Sequence, residues 1–287
     1  MSRLVHGESA AKRSARVEYE NGKSRSSGVP RIQPSPYFRW HAIWAWILTA
    51  LATPVFLPII GFLVLLVRLT SRGPGLYRQQ RVGKNGKIFW IYKIRTMRID
   101  AEAHTGPVWT EENDPRITPV GRWLRRLHLD ELPQIFNVLM GQMTLIGPRP
   151  ERPEFTQMLA QAIPGYLNRI AVLPGITGLA QINLPPDSDL DSVRRKLVLD
   201  LEYIEKANFW LDVRILLCTV SKMVGLPGLK IAGWLGLLRP ARIPPWMFNG
   251  KTGSHQIPCT YSQLQRRSQD KTIHFAEARR NIFRKPR

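Results

Sequence analysis

The chain has 287 residues, 44% of them hydrophobic, a formal net charge of +21 and two cysteines, Cys218 and Cys259. That length and apolar content allow a packed domain with appendages, and the cysteine usage excludes a disulfide framework or a thiolate metal site, as fits a reducing cytosol. The charge demands an anionic partner, whether nucleic acid, anionic lipid or a phosphorylated substrate, without choosing among them.

Residues 1–36 form a polar, basic arm rich in Ser, Gly and Arg, without apolar periodicity. Such a composition predicts disorder, and no apolar segment near the start marks a signal peptide. Residues 37–72 contain "WHAIWAWILTALATPVFLPIIGFLVLLVRL", uncharged between His41 and Arg68. As a helix, about 26 such residues extend roughly 39 Å, enough to cross a bilayer. Pro54 and Pro58 interrupt it, and Thr53 carries a hydroxyl that can bond back to the preceding turn, so a kink is expected at Thr53-Pro54. Basic residues flank both ends, Arg39 before and Arg68, Arg72, Arg78 and Arg81 after. The tendency of Lys and Arg to stay cytoplasmic pulls both ends to one side, which a kinked re-entrant helix satisfies and a straight span does not. From these residues alone, re-entry and a single kinked span both remain open.

Residues 73–229 read as the cytoplasmic domain. In "GLYRQQRVGKNGKIFWIYKIRTM", two β-rich segments flank Asn85-Gly86, a type I′ hairpin signal with Lys84 and Lys87 at the tip. In "TPVGRWLRRLHLDEL", Val120, Trp123, Leu124 and Leu127 repeat at helical spacing. Arg122, Arg125 and Arg126 share another face, either solvated or forming an anion-binding stripe that leads to Asp130. A second helix follows through Leu132, Ile135, Phe136 and Leu139, with Asp130 at the expected N-cap and Gly141 as the stop. The prolines of "GPRPERPEF" make a stiff loop holding Arg149 in a fixed direction, and "LPGITGLAQINLPPDSDLD" reads as a further loop. A charged helix is expected from Ser192 to Ala207. "FWLDVRILLCTVSKMV" is amphipathic, with Trp210, Val213, Leu217 and Val220 on one face, suited equally to a membrane interface or a core. Residues 230–287 form a basic tail, partly interfacial and then flexible. The fold class is therefore α/β, mostly helical with a small β-hairpin, and monotopic, with a re-entrant membrane helix and interfacial amphipathic helices.

Neighbouring residues on a helix diverge by about 100°, so Asp130 and Glu131 cannot share one proton and suit two roles. One carboxylate can act as a nucleophile toward phosphorus, and the other can hold Mg²⁺ alongside substrate phosphates. Arg125, Arg126 and Arg149 lie close in sequence and are of the type that clamps phosphate. No phosphate-cradling glycine loop, nucleophile elbow or metalloprotease motif competes, and His128 reads as a surface residue.

The stretches "YRQQRVGKNGKIFWIYKIRTM", "LRRLHLDELPQIFNVLMGQMTLIGPRPERPEF" and "LPGITGLAQIN" together resemble the bacterial sugar transferases, the monotopic polyprenyl-phosphate phosphoglycosyl transferases. The resemblance runs from about residue 42 to residue 220. It implies transfer of a phosphosugar from a UDP-sugar to undecaprenyl phosphate with release of UMP, at the cytoplasmic face of a bacterial inner membrane rich in anionic phospholipid, initiating glycan assembly. By it, Asp130 is the nucleophile of a covalent phosphosugar intermediate, Glu131 positions Mg²⁺, Arg125 and Arg149 contact phosphates, and Thr53-Pro54 occupies the break of a re-entrant helix. Where many members continue Asn-Gly-Arg, this chain has Asn183-Leu184-Pro185, so an expected arginine is missing. Ile94 replaces a common phenylalanine. A non-catalytic membrane scaffold is the alternative reading, and it has no need of the Asp-Glu-Arg set. A nucleic-acid binder lacks any visible reading module. Homo-oligomerisation stays open.

Overall fold

The computed structural model describes residues 29–30, 32–101 and 114–248. Most of the basic arm, Cys259 and the polar tail from Asn249 lie outside the described residues. The fold is mostly helical, with two sheets of two strands each. The first helix, α1 (Phe38–Thr70), runs 33 residues and is assigned as helix through both Pro54 and Pro58. Thr53 Oγ1 donates to Thr49 O at 2.7 Å, the back-bond its hydroxyl was expected to make. The helix buries one stripe, His41, Ala45, Thr49, Ile60, Leu63 and Val67. Its remaining faces expose Trp40, Leu51, Val55, Phe62 and Leu65, each more than half accessible. A soluble monomer does not leave so continuous an apolar surface to water, and the helix is long and apolar enough to cross a membrane.

Both halves of α1 rest on the same domain. Near its start, Tyr37, Phe38 and Trp44 pack on the cluster of Ile146, Tyr203, Leu211 and Ile215. Asp212, fully buried, accepts from Tyr203 OH at 2.8 Å and from Tyr37 OH at 2.9 Å, and lies 3.1 Å from His41 Nε2. This network satisfies a charge that would otherwise be costly to bury. Toward the end of α1, Leu63 and Val67 pack with Ile94 and Leu124.

A hairpin follows, β1 (Leu76–Val82) antiparallel to β2 (Ile88–Ile94), paired from Leu76↔Ile94 to Val82↔Ile88. Asn85 and Gly86 sit at φ 56° and 77°, the left-handed region these residues tolerate best. The expected signal is therefore real, but Gly83 N bonds Lys87 O, so the loop holds three residues rather than two. Next, α2 (Pro119–Arg126) is capped by Thr118, whose Oγ1 accepts from Gly121 N at 3.0 Å. A Cβ at position 121 would fall 2.1 Å from Thr96 O, so only glycine lets α2 start directly against the end of β2. Leu124 is fully buried, whereas Trp123, expected on the same apolar face, is 44% exposed. An eight-residue helix docked on so narrow an edge covers a single row. Leu124→Ala is expected to destabilise the protein by about 2–5 kcal/mol, read as a lowered Tm in detergent.

The 3-10 turn Leu129–Gln134 leads into the short α3 (Ile135–Leu139), and Gly141 at φ 68° ends it. Trp46 Nε1 of α1 donates to Leu139 O at 3.1 Å, so α1 also touches the segment that carries the two acids. Strand β3 (Thr144–Ile146) pairs in parallel with β4 (Gly175–Thr177), which lies in a stretch expected to be loop. Between them run α4 (Pro153–Ala162) and a 3-10 turn (Tyr166–Ala171). Then come α5 (Leu179–Asn183), α6 (Leu190–Lys206, with an Asp189–Ser192 capping box), α7 (Phe209–Met223) and α8 (Gly228–Trp234). Phe155, Leu159, Val193, Leu197 and Met247 form one core, and Leu211, Ile215, Cys218 and Leu237 belong to a second. On α7 the predicted apolar face is turned away from the core, since Trp210, Leu217 and Val220 are exposed.

Candidate active site

Four segments, two of them remote in sequence from the acids, build the surroundings of Asp130 and Glu131. Strand β2 supplies Lys93, α2 supplies Arg125, the 3-10 turn supplies the acids, and the loop after β3 supplies Arg149. The expectation that Asp130 caps a helix is not met. A cap side chain accepts from the second or third amide that follows, and the third residue after Asp130 is Pro133, which has no N–H. The Asp130 carboxylate is left without any hydrogen bond or ion pair to the described residues, although the residue is only 7% exposed.

Glu131 is its opposite. Lys93 Nζ donates to Oε1 at 2.9 Å, Arg149 Nη1 donates to Oε2 at 3.0 Å, and Arg149 Nη2 donates to Oε1. The two adjacent acids therefore part electrostatically. Burial pushes the Asp130 carboxyl up, Glu131 adds to that, and Lys93, Arg125 and Arg149 only partly oppose it. Burial would raise Glu131 too, but Arg149 and Lys93 outweigh it and hold the carboxyl well below the usual range. Divergent environments for paired carboxylates are the pattern that separates their chemical roles.

The structure brings together Asp130, Glu131, Arg125 and Arg149 as expected, with corrections. The Arg149 fork grips Glu131 through both of its Nη atoms. Arg125 Nε donates to Thr96 Oγ1 at 2.8 Å, and its charge acts on Asp130. Arg126, one residue on, is exposed and takes no part in the cluster. Lys93 was missed. Its signal was present as a lone charge within the apolar strand "IFWIYKI", yet a strand residue has no way to announce its partner across 38 positions.

The Arg149 loop is fixed through its carbonyls, since its prolines cannot donate. Pro148 O accepts from Gly175 N at 3.0 Å, Arg149 O from Arg169 Nη2 at 2.9 Å, Pro150 O from Arg81 Nη1 at 3.1 Å and Glu151 O from Val82 N at 2.9 Å. Each of those four hydrogen bonds comes from a segment outside the loop. Asn183, at the departure from the expected motif, holds the later chain instead. It donates to Leu237 O at 3.1 Å and accepts from Arg239 N at 3.0 Å. Beyond it, Asp187 pairs with Lys196 at 2.6 Å.

Among the described residues no three His, Cys, Asp or Glu side chains cluster as a metal cage. Asp130 and Glu131 remain as two neighbouring carboxylates. Mg²⁺ is commonly bound by one or two carboxylates together with substrate phosphates, and a single carboxylate, that of Glu131, is enough for such a site.

A model of the family described as bacterial sugar transferase matches residues 38–225. The chain is 43% identical over 172 residues to an undecaprenyl-phosphate glucose phosphotransferase of Komagataeibacter xylinus, covering 58% of this chain and 32% of that protein. It is 42% identical over 194 residues to a UDP-N-acetylgalactosamine-undecaprenyl-phosphate N-acetylgalactosaminephosphotransferase of Aeromonas hydrophila, covering 67% of this chain and 46% of the relative. With the UDP-glucose:undecaprenyl-phosphate glucose-1-phosphate transferase of Escherichia coli it shares 41% identity over 177 residues, 60% of this chain and 38% of the other. The matched stretches thus span a third to a half of these relatives.

Proposed function

The chain belongs to the bacterial sugar transferase family, and on that premise we propose that it transfers a phosphosugar from a UDP-sugar to undecaprenyl phosphate, releasing UMP and beginning the assembly of a polysaccharide. The observation that carries this reading is the asymmetry of the two acids. Asp130 is buried, unpaired and ringed by three cations, whereas Glu131 is neutralised by two of them. A carboxylate without hydrogen bonds keeps its lone pairs for attack, and the surrounding charges favour an incoming polyanion.

In the proposed reaction an Asp130 oxygen bonds to the sugar-bearing phosphorus of the donor as the bond from that phosphorus to the bridging oxygen breaks, and UMP departs. The phosphate oxygen of undecaprenyl phosphate then attacks the same phosphorus. Asp130 is regenerated, and the diphosphate-linked lipid sugar leaves. Both attacking groups are already anionic, so neither step requires a general base. Lys93, Arg125 and Arg149 stabilise charge on the transferring phosphoryl group. Glu131, together with the donor's phosphates, would hold Mg²⁺, which would neutralise charge on the departing phosphate.

A lipid acceptor explains the apolar surface. We read α1 as re-entrant, with its Pro54–Pro58 segment deepest, because its two halves bury His41, Ala45 and Thr49, then Leu63 and Val67, against one and the same domain. The exposed Trp210, Leu217 and Val220 of α7 suit the membrane interface, with the catalytic face in the cytoplasm. The experiment is UMP release by the full chain in nanodiscs, with Mg²⁺, undecaprenyl phosphate and a panel of UDP-sugars. Multiple-turnover release that requires both the lipid phosphate and one donor, and stops with EDTA, is expected, with at most one UMP per protein when the lipid phosphate is left out. Multiple-turnover release that persists without lipid phosphate would overturn the reading.

A further inference from the structure

The geometry points to Arg169 and Asp200 as positioning residues that set the direction of Arg149, and so of Glu131, from behind the active site. This inference rests on the transferase reading. Arg169 is 4% exposed and Asp200 3% exposed. Arg169 Nε and Nη2 both donate to Asp200 Oδ2, at 2.9 and 2.6 Å, and Nη1 donates to Tyr166 OH at 3.1 Å. The same Nη2 also donates to the backbone carbonyl of Arg149 at 2.9 Å. The chain of contacts runs from Asp200 on α6, through Arg169 on the 3-10 turn, to the Arg149 main chain. From there the Arg149 fork reaches Glu131, beside Asp130.

Physical cost favours this role over simple stabilisation. Burying a charge pair gains little or nothing against apolar residues of the same volume, so stability alone does not explain it. What the pair contributes is direction. The other anchors of this loop fix its flanks at Pro148, Pro150 and Glu151, and among the described residues only Arg169 grips the main chain of the residue whose side chain enters the site. Pro148 and Pro150 restrict the backbone on both sides of Arg149, so a shift at its carbonyl passes to the Cα rather than being absorbed locally. Arg169 and Asp200 belong to no motif singled out in the sequence.

The test is a double-mutant cycle on the full chain in nanodiscs, following UMP release. Breaking the buried pair alone invites unfolding, so the pair is replaced whole, as Arg169→Met with Asp200→Leu, beside the milder Arg169→Lys. The expected result is a Tm close to wild type, with kcat lowered on the order of 100-fold and KM for the donor little changed. In an Arg149→Ala background the same replacement should lower kcat no further, because its effect has already been removed. Additive losses in the two backgrounds, or a folded double variant with wild-type kcat, would overturn the positioning role. Wild-type protein and Asp130→Asn run alongside. A silent wild type condemns the transferase reading itself, whereas an active wild type with an additive cycle condemns only this inference.

Discussion

Asp130→Asn is expected to lower UMP release by at least on the order of 10⁴-fold while leaving the fold intact. The substitution keeps the shape of the side chain and removes its charge and, with it, the capacity to form the proposed bond to phosphorus. No hydrogen bond is lost, because the carboxylate makes none to the described residues. Stability should be equal or higher at neutral pH. Burial raises the Asp130 carboxyl, so the ionised form is the one the fold disfavours, and its cost grows as pH rises through that pKa. The same displacement sets the acid limb of the reaction. The nucleophile must be ionised, so kcat/KM in the wild type should fall as pH drops through a value above the ordinary carboxylate range of about 4. Intact-mass analysis after incubation with donor alone should show a phosphosugar adduct on the wild type and none on Asp130→Asn. An Asn variant that turns over at more than a few per cent of wild type would remove Asp130 from the role of nucleophile.

Arg149→Ala carries the second large effect, a loss of about 10²–10³-fold in kcat. Two things disappear at once, the cation that the proposed reaction sets beside the transferring phosphate and the fork that neutralises Glu131. With only Lys93 left, Glu131 presents a bare negative charge beside the nucleophile and the incoming diphosphate. Arg149→Lys should recover only part of the rate, since an ammonium restores the charge but not the two-pronged geometry. The variant should also be less stable than wild type. Glu131 is held below its ordinary range in the fold, so its contribution is complete above the unfolded pKa and lost as pH falls through the folded one. The difference in Tm between wild type and Arg149→Ala should therefore be widest at neutral pH and close in acid. An unchanged gap at low pH would show that Arg149 supports the fold by packing rather than by its pairing with Glu131.

Much of this protein was legible along the chain. The uncharged run before Arg68, the Asn85-Gly86 turn, the arginine at 125, the acid pair and the proline-locked Arg149 are each marked by composition or spacing within a few residues. Those signals are local, because periodicity, proline stiffness and turn chemistry act over a turn or two of chain. What the tertiary structure decided is who meets whom. Lys93 reaches Glu131 across 38 positions, Arg169 reaches Asp200 across 31, and the two halves of α1 come to rest on one domain. The tertiary structure also left Asp130 unpaired while pairing its neighbour twice, a difference that two adjacent acidic residues cannot reveal in sequence. The sequence thus determined which chemical groups are present, which segments stiffen and which one is apolar enough to cross a membrane. The roles those groups take were set by packing, because burial and opposing charge act through space, and only the folded chain brings the charges close enough to count.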